Sequence, residues 1–250
     1  MLRLECQESW QRWAMRFCGR GAVVTEEQLR AGALLDQEHV TIEMDLQWTG
    51  RSPVWHLGDK MQSQAWAHFH YEQSHTVTGT IRVGDERWDN LEGTGIRDHS
   101  RGTRDFGPMR DHWWLNGCFP SGRSFALLNI NQYGQDSHPL RHGYISNGDK
   151  IEEAEVVTIE ILERLPGGGP ARHRTVLRTE AGEEHVLEGR VLQAMPYLMT
   201  GENEIVLGAA HTPEKPLALV ECMTEYRLNG EIGYGLTERS WTTTDPTLTG

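Results

Sequence analysis

The sequence predicts an all-β fold, either a barrel or a sandwich made of many short strands. Apolar and polar residues alternate with a period of two along most of the 250 residues, which is typical of strands buried on one face. Turn residues recur about every 8 to 15 positions, as they do in antiparallel barrels and sandwiches. The 27 glycines suit a barrel, because its strands have to bend at corners.

The first elements are one helix and one strand pair. Residues 25–37 are the one segment with helical periodicity, and this periodicity is weak. Residues 75–95 predict a strand, a turn at Gly84-Asp85 and a second strand. Gly93 and Gly95 in the second strand predict bends or bulges, since glycine inside a strand often marks one.

Two later segments predict β-hairpins. Residues 172–195 alternate on both sides of Ala181-Gly182, and residues 217–241 alternate on both sides of Asn229-Gly230. Asn-Gly is a strong signal for a two-residue hairpin loop. Residues 122–134 and 152–165 predict further strands, and residues 165–172 predict a glycine-rich loop.

Charge and hydropathy limit the partners of the chain. The formal net charge is −12, and the 24 Lys and Arg residues are scattered. Nucleic acids and anionic membranes need a basic patch, so we expect neither as a partner. The start of the chain is too polar for a signal peptide, and no apolar run approaches the ~18 residues of a membrane helix. The four cysteines lack zinc-ligand spacing, which favours reduced thiols in a cytoplasmic protein.

A stretch rich in histidine is the first candidate site. In an extended chain His68, His70 and Glu72 lie on one face, and Tyr71 lies on the other. Two imidazoles and a carboxylate on one face are half of a metal site, and His99 could add a further ligand. The cupin pattern is the nearest comparison, and the match is partial because Glu72 follows His70 by only two positions.

The segment 95–106, GIRDHSRGTRDF, is the second candidate. In an extended chain Arg97 and His99 share one face, and Asp98 and Ser100 share the other. An acid beside Arg and His is the material of general acid–base catalysis. The same residues could instead form a structural ion pair that closes one end of a barrel.

Two tryptophans and a late glutamate complete the candidates. The adjacent Trp113 and Trp114 should point to opposite faces of a strand, so that one of them either joins the core or forms the wall of an apolar pocket. Glu238 shares a strand face with apolar residues. On a core face it would need a partner such as Arg97 or Arg104, and otherwise the face is solvated.

Several common catalytic motifs are absent from the sequence. It contains no GxSxG elbow, no phosphate-binding loop and no GxGxxG dinucleotide motif. Serine hydrolysis, phosphoryl transfer and hydride transfer are therefore disfavoured.

Residues 70–106 resemble the signature of a bacterial family related to AttH and carotenoid 1,2-hydratase. The shared pattern is a strand with a Glu-Gln pair, then V-x-G-x-[VI]-x-V, then G-x-G-[FI]-R-D-H-S-x-G-x-R-D. Residues 113–130 and 226–238 resemble later segments of that family, so the resemblance covers about residues 64–241. Arg101 and Thr103 depart from the pattern and make the loop more polar.

This resemblance implies a lipocalin-like fold of two barrel or barrel-like halves. It also implies a largely apolar pocket with a few acidic and aromatic groups, no cofactor and no metal. Residues 1–60 would be an N-terminal β-region, reduced or completed by a partner chain, which leaves room for a homo-oligomer. Residues 61–250 would form the lipocalin-like barrel that carries the site.

The resemblance favours an enzyme that works without a cofactor. A hydratase, dehydratase or cyclase would use acid–base catalysis on an apolar, unsaturated terpenoid, polyketide or aromatic molecule. The expected catalytic residues are Asp98, Glu72, His99 and Arg97, and the expected substrate-binding residues are His70, Tyr71, Trp113, Trp114 and Glu238. The alternatives are a non-catalytic binding protein for an apolar ligand and a metal-dependent cupin-like enzyme that uses His68, His70 and Glu72.

Overall fold

A computed structural model describes most of the chain and confirms the all-β class. It describes residues 1–31, 37–62, 64–103, 105–134, 139–199, 205–207 and 217–245. Within these ranges there are fifteen strands, one short α-helix (α1, Glu26–Arg30) and one 3₁₀ turn (Gly58–Met61). Neither described helix is long and apolar enough to cross a membrane.

The first half of the chain forms an open antiparallel sheet. Its order is β1-β2-β3-β5-β4, with β6 paired to β5. The strands are β1 (Leu2–Glu8), β2 (Arg12–Ala22), β3 (His39–Gly50), β4 (Trp55–His56), β5 (Phe69–Val83) and β6 (Glu86–Arg101). Because β5 pairs with β3 and β6 pairs with β5, residues 69–101 belong to this sheet, whereas the family resemblance implied that they belong to the barrel domain.

The second half forms a closed barrel of eight antiparallel strands. Around the ring the order is β11-β10-β9-β8-β7-β15-β14-β12, and pairing of β11 with β12 closes it. The short β13 pairs with β12 outside the ring. The strands are β7 (Met109–Cys118), β8 (Ser124–Gln132), β9 (Leu140–Ser146), β10 (Ile151–Arg164), β11 (Pro170–Thr179), β12 (Glu184–Met199), β13 (Ile205–Leu207), β14 (Leu217–Leu228) and β15 (Glu231–Thr242).

The predicted turns are confirmed. Strand pairs meet at Gly84-Asp85, at Ala181-Gly182 and at Asn229-Gly230. Asn229 and Gly230 have φ angles of 52° and 82°, which two-residue hairpin loops of this kind require. The helix is shorter than predicted, because α1 covers only Glu26–Arg30, and residues 32–36 lie outside the described residues.

The prediction of bulges at Gly93 and Gly95 is wrong. Both glycines pair in register with β5, and the register shift lies next to Gly79 instead. A Cβ on Gly95 would lie 2.6 Å from the ring of Trp48, so the glycine makes room for that ring. Gly79 has a φ of 146°, and a Cβ there would overlap the carbonyl oxygen of Asp45.

The two halves pack against each other through the outer face of the barrel. One core cluster fills the barrel interior and includes Leu115, Phe125 and Leu127. A second cluster joins Trp55 and Met61 of the first half to residues of β8 and β9 that alternate with the interior residues. Part of the barrel's outer surface is therefore buried beneath the first half of the chain.

Candidate functional site

A cavity of about 190 Å³ lies in this interface, between the first sheet and the outer face of the barrel. Strands β5 and β6 and the loop after β6 form one wall, and β7, β8, β14 and β15 form the other. Its apolar lining includes Trp66, Phe106, Met109, Trp114, Leu128 and Leu219. Its polar lining consists of His70, Asp98, Ser100, His112, Glu238 and Ser240. The cavity is thus mostly apolar, with a few acids, imidazoles and hydroxyls facing into it.

Strand alternation selects the polar groups from β5 and β6. His70 is paired with Ser100, and Glu72 is paired with Asp98. These four side chains lie on the face of the strand pair that the barrel covers. Asp98 and Ser100 share this face, as the alternation predicts, and Asp98 sits at its exposed edge.

A chain of hydrogen bonds connects the cavity to a buried carboxyl group. Ser100 Oγ lies 2.7 Å from His70 Nδ1, and His70 Nε2 lies 2.8 Å from Glu72 Oε1. Trp114 Nε1 donates to the same Oε1 at 3.0 Å. Because an indole N–H can only donate, Oε1 is an acceptor, and His70 then donates to it from Nε2. This tautomer leaves His70 Nδ1 to accept the hydroxyl proton of Ser100.

Glu72 is fully buried at the inner end of that chain. Burial raises the pKa of Glu72, and the charge of Asp98 raises it further, whereas the contacts with His70 and Trp114 lower it. Its second oxygen, Oε2, has no hydrogen-bond partner within the described part of the chain. Both donors therefore act on a single oxygen of a carboxyl group removed from water.

Glu238 and His112 face each other on the barrel side of the cavity. Glu238 Oε1 lies 3.4 Å from His112 Nδ1. Burial raises the pKa of Glu238 to about 8, with further contributions from the charges of Glu221 and Asp98. Burial and the nearby His70 lower the pKa of His112 to about 3. Burial thus favours the neutral form of both groups, a protonated carboxyl on Glu238 and an uncharged imidazole on His112.

Glu221 lies directly across the β14–β15 hairpin from Glu238. Tyr197 donates its hydroxyl proton to Glu221 Oε1. This hydrogen bond stabilises negative charge on Glu221 and so favours retention of the proton on Glu238.

The remaining residues predicted from β5 and β6 lie on the other face of the strand pair. The rings of His99 and Tyr71 stack with centroids 5.6 Å apart. Arg97 donates to the Tyr71 hydroxyl, and its guanidinium lies 3.9 Å from the ring centroid of Trp13. None of the three predicted residues Tyr71, Arg97 and His99 lines the cavity, because alternation turns them away from the barrel.

The two tryptophans point to opposite faces, as predicted. Trp114 lines the cavity, whereas Trp113 packs inside the barrel with its ring centroid 6.0 Å from that of His173. Of the two predicted arginine partners of Glu238, Arg97 lies on the outer face of the strand pair, away from the cavity, and Arg104 lies outside the described residues.

The histidines of the metal hypothesis are not brought together. His68 precedes β5, is exposed, and contacts Thr103 Oγ1 at 3.2 Å. Across the described ranges, no three His, Cys, Asp or Glu side chains are grouped where they could hold a metal ion.

His112, Glu221 and Tyr197 are site residues that the sequence reasoning missed. The signal for Glu221 was present, because a two-residue loop at Asn229-Gly230 fixes the register that places it opposite Glu238. His112 shares a strand face with Trp114 and could have been found in the same way. Tyr197 lies on a strand whose pairing with β14 is long-range, and no local pattern predicts it.

Comparisons with known proteins identify the family and the fold. The model of a family described as a domain of unknown function, DUF7064, matches residues 2–243. A crystal structure from Nitrosomonas europaea, of a protein provisionally named AttH, superposes with a TM-score of 0.55 at 14% sequence identity. The match covers 93% of this chain and 65% of that protein's length. No curated protein matches the sequence. The chain has an AttH-like fold, and it belongs to the DUF7064 family.

Proposed function

We propose that the protein is an acid–base enzyme of the lyase or isomerase type that acts on a small, apolar, unsaturated molecule. The observation that carries this proposal is a buried carboxyl group, Glu238, that faces a mostly apolar cavity, where burial raises its pKa to about 8. Burial that raises the pKa of a carboxyl group toward or above neutral pH allows that group to act as a general acid.

Glu238 acts as the general acid. Its O–H donates a proton to one carbon of a carbon–carbon double bond, or to a leaving oxygen, and Glu238 becomes a carboxylate. The positive charge that develops on the substrate lies among the rings of Trp66 and Trp114, which line the cavity. Each aromatic face stabilises such a cation by about 0.5–2 kcal/mol. Asp98, at the edge of the cavity, adds a negative charge.

The Ser100–His70–Glu72 chain acts as the general base. When water adds to the cation, its proton passes to the Ser100 hydroxyl while the Ser100 proton passes to His70 Nδ1. Glu72, hydrogen-bonded to Nε2, stabilises the imidazolium that results. If the cation instead loses a proton to the same base, the double bond moves and the reaction is an isomerisation. If a second double bond of the substrate first attacks the cation, a ring closes before the proton is lost and the reaction is a cyclisation.

Asp98 or Glu72 was predicted from the sequence as the acid, and Glu238 as a substrate-binding residue; the geometry favours Glu238 as the acid instead. Glu72 lies beneath His70 and does not line the cavity, and Asp98 is exposed to water. The cavity volume sets the substrate size. An engineered cavity of about 150 Å³ holds the six carbons of benzene, so the space here suits a substrate core of roughly eight non-hydrogen atoms.

Deuterium incorporation tests the proposal without a known substrate. The protein is incubated in D₂O with monoterpene alcohols and vinylphenols, and mass spectrometry follows deuterium at carbon and any gain or loss of water. We expect incorporation by the wild type and its loss in Glu238→Gln, which keeps the shape of the neutral acid. Glu92→Gln, an exposed change on β6, is the matched control.

Tight binding of one of these compounds with no deuterium at carbon and no change of mass would overturn the enzyme proposal. That result would favour the alternative, a binding protein for an apolar ligand. Incorporation that persists in Glu238→Gln would show that another group is the acid.

A further inference from the structure

Strand β1 forms an exposed edge of the first sheet. It pairs with β2 on one side only, and all seven of its residues are exposed. Leu2 and Leu4 are 59% and 64% exposed. Unpaired edge strands offer a row of backbone donors and acceptors to another strand, and natural proteins usually protect them. Among the described residues nothing covers this edge.

An apolar surface leads up to the same edge. Leu2, Leu4 and Cys6 of β1 are paired with Phe17, Met15 and Trp13 of β2. The three β2 residues are in turn paired with Met44, Leu46 and Trp48 of β3. Paired residues share a sheet face, and most of these side chains are only half-buried. The apolar stripe therefore runs across three strands and stops at a strand with a free side.

The charges of β1 show which partner fits its free side. Arg3 and Glu5 flank Leu4 on the opposite face and form an exposed ion pair at 3.0 Å within the strand. If a second β1 runs antiparallel about a two-fold axis at Leu4, Arg3 faces the partner's Glu5, and Glu5 faces the partner's Arg3. An axis at Glu5 would instead oppose two glutamates. The strand is thus self-complementary in one register, as a two-fold interface requires.

We propose that two copies of this chain associate through antiparallel pairing of their β1 strands, with the two-fold axis at Leu4. The pairing joins the two first sheets into one continuous sheet. It covers Leu2 and Leu4, and it extends the apolar stripe across the interface. No β1 residue lines the cavity, so the interface and the proposed activity are separate properties of the chain.

Charge reversal and charge exchange test the interface by sedimentation velocity at micromolar concentration. We expect the wild type to sediment as a dimer of the 28.4 kDa chain. Arg3→Glu and Glu5→Arg should each weaken association by about tenfold or more, because each places two like-charge pairs across the axis. The double exchange Arg3→Glu/Glu5→Arg should restore it, because both opposite-charge pairs return.

The control is Arg87→Glu on β6. Arg87 is an exposed strand residue that pairs at 2.8 Å with Asp89, two positions on, just as Arg3 pairs with Glu5. This change should leave association intact. Leu4→Lys places two lysines at the axis and should give a monomer with an unchanged circular dichroism spectrum.

A monomeric wild type would overturn the proposal. So would a dimer that neither Arg3→Glu nor Leu4→Lys weakens, because another surface would then join the two copies. Failure of the double exchange to restore association would overturn the register at Leu4. None of these outcomes depends on catalysis.

Discussion

Replacing Glu221 with Gln should lower the pKa of Glu238 and release its proton near neutral pH. The two residues are paired across the β14–β15 hairpin, so their side chains share the outer face of the barrel. Tyr197 donates a hydrogen bond to Glu221 and stabilises its carboxylate. After burial, the charge of Glu221 is the largest cause of the raised pKa of Glu238. Of the other groups facing Glu238, His112 is neutral and Asp98 is unchanged by the substitution.

The strand geometry gives the size of the effect. Paired residues have Cβ atoms about 5 Å apart, which places the two carboxyl groups roughly 6 Å apart. At an effective dielectric constant of about 20, two unit charges at that distance repel by ~3 kcal/mol, or ~2 pKa units. Water near the half-buried Glu221 reduces this, so we expect a fall of ~1–2 units. The pKa of Glu238 should therefore move from about 8 to between about 6 and 7.

Carbon NMR of protein labelled at the glutamate carboxyl carbons measures this pKa directly, with no substrate. The resonance that disappears in Glu238→Gln assigns Glu238. Glu225→Gln is the control, because Glu225 lies on the same strand as Glu221 but is paired with Tyr234 and not with Glu238. A wild-type Glu238 that titrates near the ordinary value of 4.5, or one that Glu221→Gln leaves unmoved, would refute the reasoning.

Three further changes test the buried Glu238, the indole that donates to Glu72 and the close approach of β5 to β3 at Gly79. The unfolded chain loses the proton of Glu238 near pH 4.5 and the folded chain near pH 8, so the wild type loses stability as pH rises between those values. Glu238→Gln should remove this loss, which is on the order of 2–4 kcal/mol by pH 8. Urea unfolding at several pH values measures it. A pH-independent difference would contradict it. Trp114→Phe removes a donor from buried Glu72 and should cost ~1–3 kcal/mol in the same assay, and no loss would show that water replaces the indole. Gly79→Ala should cost ~1–3 kcal/mol in thermal unfolding, since its φ of 146° disfavours a side chain and Cβ would overlap Asp45; an unchanged melting temperature would contradict that account.

Local signals predicted the hairpins well, whereas the division between the two sheets was not predicted. Asn229-Gly230 and Gly84-Asp85 fix their loops through the backbone angles that these residues tolerate, and such preferences need no information from the rest of the chain. The pairing of β5 with β3 joins segments about 35 residues apart. Nothing in either strand specifies that partner, and so residues 69–101 were placed with the barrel.

For the site, too, local patterns predicted which residues share a strand face, but not which face lines the cavity. Alternation separated Asp98 and Ser100 from Arg97 and His99, which the structure bears out. Alternation does not tell which of two faces the barrel covers, so residues from both faces entered the predicted set. The raised pKa of Glu238 could not be predicted from the sequence, because it depends on burial by strands that are distant along the chain.

The first sheet is open, and it still encloses the candidate site because it packs against the outer face of the barrel at Glu238. Strand β15 points Thr237 into the filled barrel, where it bonds to Tyr226 at 2.6 Å, and it therefore points Glu238 outward. On a bare barrel an outward glutamate would be ionised in water. Here the ends of β5 and β6 and the following loop cover it and bring His70 and Ser100 opposite. The proposed acid and the proposed base thus come from different halves of the chain, and they face each other only because the halves are in contact. The far edge of the first sheet takes no part in this contact, so it remains available to pair with another chain.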